Sequence, residues 1–281
     1  MNYHEFVGTV TEFLRESLPC GTKLEMLPLE KNNGVIMDGL SIRRQGQTVA
    51  PTIYMDACYR EYLGGRSLKG ICDQILECCQ ETELEGKFDV DFFTDYDRLK
   101  STVAYKLINA EKNQELLKKI PHLPYLDLAI VFYCLLADTP VGNATVLIHN
   151  SHMKLWNIRC ADLYRDAKAN MGKLLPARLS GMAEVIRELS GGREEPENVG
   201  VPMYVLTNTQ KSLGAACILY DGVLKSCAAR LGEAYYVLPS SVHEVIMVPV
   251  SAVGDEQELT AMVRDINRTQ VRDTEVLSDN I

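Results

Sequence analysis

Apolar positions recur at helical spacing from the start of the chain, where Phe6, Val10, Phe13 and Leu14 form one stripe that Pro19 and Gly21 close. The spacing predicts a first helix. The apolar period then drops towards two, and "KLEMLPLE", "GVIMDGLSIRR" and "VAPTIYM" read as short strands. Asn33-Gly34 lies between the first two and supplies the positive φ angles of a tight hairpin turn. After a break at Gly64-Gly65, Leu68, Ile71, Ile75 and Leu76 share one helical face. The first unit is expected to be helix, small antiparallel sheet, helix.

Further along, "TVAYKLI" reads as a strand, "AEKNQELLKKI" as a helix stopped before Pro121, "YLDLAIVFYCLLA" as a second strand and "NATVLIHN" as a third. Asn150 or Ser151 caps a short turn through Met153 and Trp156. Cys160, Leu163, Tyr164, Ala167 and Met171 then mark one face of a longer helix, and "SGMAEVIREL" gives another helical piece. Gly191-Gly192 with "REEPENVG" is the most loop-like segment. The last third reads as strands "PMYVLTN" and "GAACILY", helix "GVLKSCAARLG", strands "AYYVLPSS" and "EVIMVPV", and helix "EQELTAMVRDINRTQV". The order ββα thus occurs twice. Consecutive strands between helices favour antiparallel pairing over a doubly wound sheet. The expected class is α+β: a small N-terminal helix-and-hairpin unit, residues 1–85, packed on a larger mixed or antiparallel sheet with helices on one side, residues 86–281. The acidic stretch Gln80 to Phe93 is read as the hinge between them.

Composition narrows the function classes. Apolar residues at 46% and charged residues at 24% of 281 are those of a globular chain. A formal charge of −9 argues against general binding to nucleic-acid backbones or anionic membranes. The run Leu126 to Ala137 contains Asp127 and is shorter than the roughly 20 residues of a bilayer span. The N-terminus lacks the basic start and small-residue cleavage site of a secretory signal, so a cytoplasmic location is expected. Nine cysteines, an odd number without a CxxC pair, suit reduced and buried thiols better than disulfides or a zinc cage. Cys20, after Pro19, and Cys160, near a helix start, are the candidate reactive thiols, and the sequence names no basic partner for either.

Candidate chemistry gathers at "YYVLPSSVHEVIMVPV", residues 235 to 250. His243-Glu244 begins like a zinc-protease helix, but position 247 is Met247 and the spacing is that of a strand. Ser240 or Ser241 with His243 suggests a serine nucleophile and its base, without a G-x-S-x-G elbow around either serine. The plainer reading is a solvated hairpin end opened by Pro239. Asn208, Ser240, Ser241, His243 and Glu244 are the candidate ligand-binding residues. His149 and His152, with His243 as a third, are the candidate metal ligands. "TNTQKSLGAA" lacks P-loop spacing and is read as a polar connection with Lys211 as mobile charge. Asp91, Asp95 and Asp97 are read as helix caps and surface charge more than as a Mg²⁺ site.

The strings "MYVLTN", "GAACILY", "YYVLPSSVHEVIMVPV", "HNSHMKLWNI" and "EVLSDNI" resemble a bacterial domain-of-unknown-function family from gut anaerobes, the 5688 family, over nearly the whole chain. That resemblance implies a cytoplasmic bacterial protein and supplies no activity, cofactor or catalytic residue. The expectation is a non-catalytic binding or interaction protein with an unidentified protein or small-molecule partner and no identified cofactor, homo-oligomerisation being left open. The alternative is a hydrolase or metal-dependent enzyme with a His/Ser site at the end of the C-terminal sheet.

Overall fold

The first helix, Tyr3–Ser17, starts where the Asn2 side chain accepts from the Glu5 amide at 2.9 Å and Glu5 accepts from the Asn2 amide at 2.9 Å. This reciprocal cap satisfies two donors that a helix start leaves open. The computed structural model describes residues 1–43, 52–84, 93–139, 142–191 and 202–281. Contacts divide the chain into two units, Met1–Lys31 with Val35–Arg98, and Asn32–Gly34 with Leu99–Ile281. The class is α+β, with three antiparallel sheets.

In the first unit, β1 (Lys23–Glu30), β2 (Ile36–Arg43) and β3 (Thr52–Tyr54) pair in that order. Helices Met55–Leu63 and Leu68–Leu84 follow. Phe6, Val10 and Leu14 bury their stripe with Leu40, Ile71 and Ile75. Each such side chain contributes about 1.5–3 kcal/mol when taken from water. Val49, Ala50 and Pro51 of the third expected strand lie outside the described residues, as do most of the acidic hinge and the segment after Gly191.

The second unit holds two sheets. In one, β4 (Val103–Asn109), β6 (Leu128–Thr139) and β5 (His122–Tyr125) pair in that order, and β7 (Gly142–Leu147) pairs with β6. Every β4 residue except Lys106 is buried, because the helix Cys160–Leu174 packs against this strand and so does the turn Gly214–Leu219. Apolar residues run almost unbroken along β4 for that reason. The other sheet has the order β10 (Tyr235–Leu238), β11 (Val245–Pro249), β9 (Tyr204–Asn208), β8 (Ala177–Gly181). Leu259 and Val263 of the helix Glu256–Thr269 pack on Leu238 and Val248.

Four elements depart from the sequence reading. The segment after Asn109 is helical only at Gln114–Leu117. Asn109 Oδ1 accepts from the Lys112 amide at 2.8 Å and the Asn113 side-chain amide donates to Asn109 O at 2.8 Å, which divert the backbone from a helix. "YLDLAIVFYCLLA" is broken by a two-residue turn, Leu126-Asp127, between the paired residues Tyr125 and Leu128. "GAACILY" is a 3₁₀ turn over Gly214–Leu219, so the ββα order does not repeat. Its run of small residues carries no period, and close packing decides its shape. β8 was not anticipated: it is a short edge strand with Arg178 and Ser180 within it, too polar to stand out.

Candidate functional site

β9 ends at Asn208, and the chain turns through Lys211 and Leu213, both at positive φ (52° and 55°), into the Gly214–Leu219 turn. The β10–β11 connection, residues 239–244, lies against it: the Ala215 amide donates to Val242 O at 3.3 Å, and the Thr207 hydroxyl donates to His243 O at 2.8 Å. Gly214 is required where these segments meet. A Cβ there would stand 2.3 Å from Thr207 Oγ1 and 2.6 Å from both Asn208 N and His243 O.

Asn208, Ser241 and His243 are thus brought together, and their polar atoms face the backbone. Asn208 is fully buried; its Oδ1 accepts from the Gln210 amide at 3.0 Å and the Ser212 amide at 3.3 Å, and its Nδ2 donates to Ser212 O at 2.7 Å. The Ser241 hydroxyl accepts from the His243 amide at 3.0 Å. His243 Nδ1 accepts from the Leu213 amide at 3.1 Å, which puts the proton of the neutral ring on Nε2. That nitrogen lies 3.7 Å from Glu275 Oε1, which Arg272 also meets at 3.1 Å. Ser240 and Glu244 close the turn with their backbones: the Ser240 amide donates to Leu238 O, and Glu244 O accepts from the Ser241 amide.

No hydrogen bond among the described residues joins the Ser241 hydroxyl to an imidazole. The hairpin expected from the sequence is present, but its end is not solvated, since Ser241 and Val242 are buried and Val242 N donates to Glu275 O at 2.8 Å. Lys211 is not mobile charge: Glu188 holds its Nζ at 2.6 Å and also pairs with Arg178, and these two partners hold the Glu188 carboxyl below the usual carboxylate range.

His149 and His152 meet at the start of the helix Asn150–Trp156, with ring centroids 5.6 Å apart. His152 Nδ1 accepts from the His149 amide at 3.1 Å, and Trp156 packs on its ring at 5.4 Å. Burial first, then the neighbouring His149, keeps His152 below the ordinary histidine range. Among the described residues no group of three or more His, Cys, Asp or Glu is arranged to hold a metal ion. Asp95 Oδ1 accepts from the Asp97 amide at 3.0 Å, a cap, while Asp91 lies outside the described residues. Burial raises the Cys160 thiol, the opposite of an activated nucleophile.

On the second unit, Pro239 and Val245, which flank the Ser240–Glu244 turn, are also part of the wall of a cleft of about 180 Å³. Leu128, Ile218, Leu224 and Val237 complete most of the apolar lining, and Asp127, Ser278 and Asn280 supply polar groups. The chain segment after the last helix forms that polar edge because asparagines hold its backbone. Asn33 donates to Asp273 O and Val276 O, Asn109 to Leu277 O at 3.0 Å, and Asn267 to Ser278 O at 2.8 Å. Sequence reading missed this cleft; the one local signal was "EVLSDNI", an apolar pair followed by four residues of which three are polar.

The chain matches the family described as "Family of unknown function (DUF5688)" over residues 3–281. No curated protein and no solved structure matches it.

Proposed function

The chain belongs to this family of unknown function, and from that premise we propose that it is a non-catalytic binding protein whose cleft on the second unit takes one small, largely apolar molecule. The observation that carries the reading is the lining of the cleft. Its walls are aliphatic, its polar groups Asp127, Ser278 and Asn280 are joined by hydrogen bonds along one edge, and its volume of about 180 Å³ suits a single ring or a short alkyl chain. An apolar protein cavity of about 150 Å³ accommodates benzene, whereas drug-sized ligands occupy about 300–1,000 Å³. A nucleotide is too large.

The hydrogen bonding at Asn208, Ser241 and His243 supports the non-catalytic part. A serine nucleophile needs its hydroxyl on a base and a third group holding that base. Here the His243 ring accepts a backbone amide and the Ser241 hydroxyl accepts another. These side chains position the loop whose flanks, Pro239 and Val245, line the cleft. The cysteines support a reducing, cytoplasmic setting, because Cys72, Cys134, Cys217 and Cys227 are buried thiols outside any disulfide. No helix among the described residues is long and apolar enough to cross a membrane.

Ligand-observed NMR with benzyl alcohol tests the reading. The native chain is expected to give saturation transfer that disappears in Val237→Trp and in Leu224→Trp, each checked for native circular dichroism. A signal unchanged in both filled variants would locate binding elsewhere and sink the cleft. Turnover of an ester, amide or phosphoester that vanishes in Ser241→Ala or His243→Ala would overturn the non-catalytic assignment.

A further inference from the structure

We infer that the cleft ligand carries a cationic end, an organic ammonium whose apolar body enters the cleft while its charge meets Asp127; this rests on the cleft being a binding site. The chemistry at the polar edge has a definite sign. Asp127 Oδ2 accepts from the hydroxyl of Ser278 and, at 3.0 Å, from Asn280 Nδ2. The Ser278 hydroxyl oxygen accepts in turn from the Asn280 amide at 2.9 Å. The Ser278 hydroxyl proton and one N–H of the Asn280 side chain are therefore spent inside the edge. The charge left over is that of the carboxylate: among the described residues, no hydrogen bond reaches Asp127 Oδ1 or the Asn280 side-chain oxygen, and no Lys or Arg pairs with Asp127. None of the described residues lining the cleft is Lys, Arg or His. A carboxylate beside an apolar wall without a cation of its own discriminates in favour of a ligand that brings one.

Placement of that carboxylate is built in. Asp127 is the second residue of the Leu126-Asp127 turn, and its carbonyl accepts from the Ala110 amide at 3.0 Å. Opposite, Leu277 is fully buried, and Asn109 and Asn267 fix the carbonyls of Leu277 and Ser278. Two separate parts of the sequence thus hold the acceptors in place before a ligand arrives, which lowers the ordering cost of binding. The volume commits the occupant to a small free molecule with one ring or a short chain, such as an arylalkylamine.

Asp127 is exposed, so the charge contributes modestly and is screened by salt. The test compares phenethylamine, 2-phenylethanol and 3-phenylpropionate on the full chain at pH 7 by ligand-observed NMR titration. The amine is expected to bind about two- to fivefold more tightly than the alcohol at low salt, with the acid weakest. Asp127→Asn, which keeps an oxygen for Ser278 and Asn280, is expected to make amine and alcohol equal, and 0.5 M salt to narrow the native difference. Equal binding of amine and alcohol to the native chain overturns the cationic end and leaves the cleft standing. An amine preference that survives Asp127→Asn also overturns it. If none of the three binds, the cleft reading itself falls and this inference with it.

Discussion

Gly214 shows how much a single position decides. Its Cα sits where β9, the loop after it and the 239–244 connection touch, and two of the three atoms within 2.6 Å of an added Cβ are backbone. Backbone cannot rotate away as a long side chain can. Gly214→Ala is expected to lower stability by about 1–3 kcal/mol, read as a shift of the urea midpoint. Tyr105 gives the opposite case. Its ring packs between those of Tyr164 and Tyr220, with centroids 6.0 and 6.3 Å away, yet its hydroxyl is buried with no hydrogen-bond partner among the described residues, and burial pushes the group well above the usual tyrosine range. Removing an unsatisfied buried hydroxyl while keeping the ring recovers its desolvation cost. Tyr105→Phe is expected to raise the urea midpoint, by about 1 kcal/mol in stability; a loss of the same size would mean that the hydroxyl has a partner in solution.

At the level of elements, the β5–β6 hairpin carries a strained residue at its tip. Leu126 takes φ 53° at the first position of a two-residue turn, a place where hairpins prefer glycine or asparagine, and its side chain is 85% exposed. Leu126→Gly therefore gives up little burial and relieves a left-handed conformation that costs a branched side chain about 1 kcal/mol. The variant is expected to melt higher by a few degrees in calorimetry. The strand expected from Tyr125 onward runs through this turn because Leu126 is apolar and only Asp127 marks an interruption, and it leaves out His122–Pro124 of β5. The helices themselves were easier to read, since the stripe Phe6, Val10, Leu14 in the first and Leu163, Ala167, Met171 in the long one are local features. The asparagines that hold residues 273–278 left no such trace, because Asn33, Asn109 and Asn267 are distant in sequence and each resembles an ordinary turn or cap residue alone.

Across the molecule, the cysteines report how tightly both units are closed. Burial pushes the thiols of Cys58, Cys72 and Cys134 up to about 11 and that of Cys217 to about 12. Cys20 is exposed. The thiolate is the reacting form, so these four are expected to stay unalkylated by iodoacetamide at pH 8 in the native chain while Cys20 is labelled. All are expected to react in 6 M guanidinium, and peptide mass spectrometry distinguishes them. Fast native labelling at Cys134 or Cys217 would mean that the second unit opens far more readily than its packing implies.

The α+β class, the first helix, the β1–β2 hairpin and the β10–β11 hairpin follow from sequence alone, because each depends on apolar period and turn residues within a short stretch. Sequence groups Asn208, Ser241 and His243 as candidates, whereas only the tertiary structure shows that their polar atoms meet backbone amides. Whether a serine near a histidine meets its ring or an amide depends on ångström placement of loops, which no local pattern encodes. The cleft is further from the sequence still: its walls come from β6, the Gly214–Leu219 turn, the β10–β11 hairpin and the last residues, joined only by antiparallel pairing and by asparagines reaching across the chain. Local pattern specified which residues are apolar; tertiary packing alone decided that these would leave a space between them, with Asp127 at its edge.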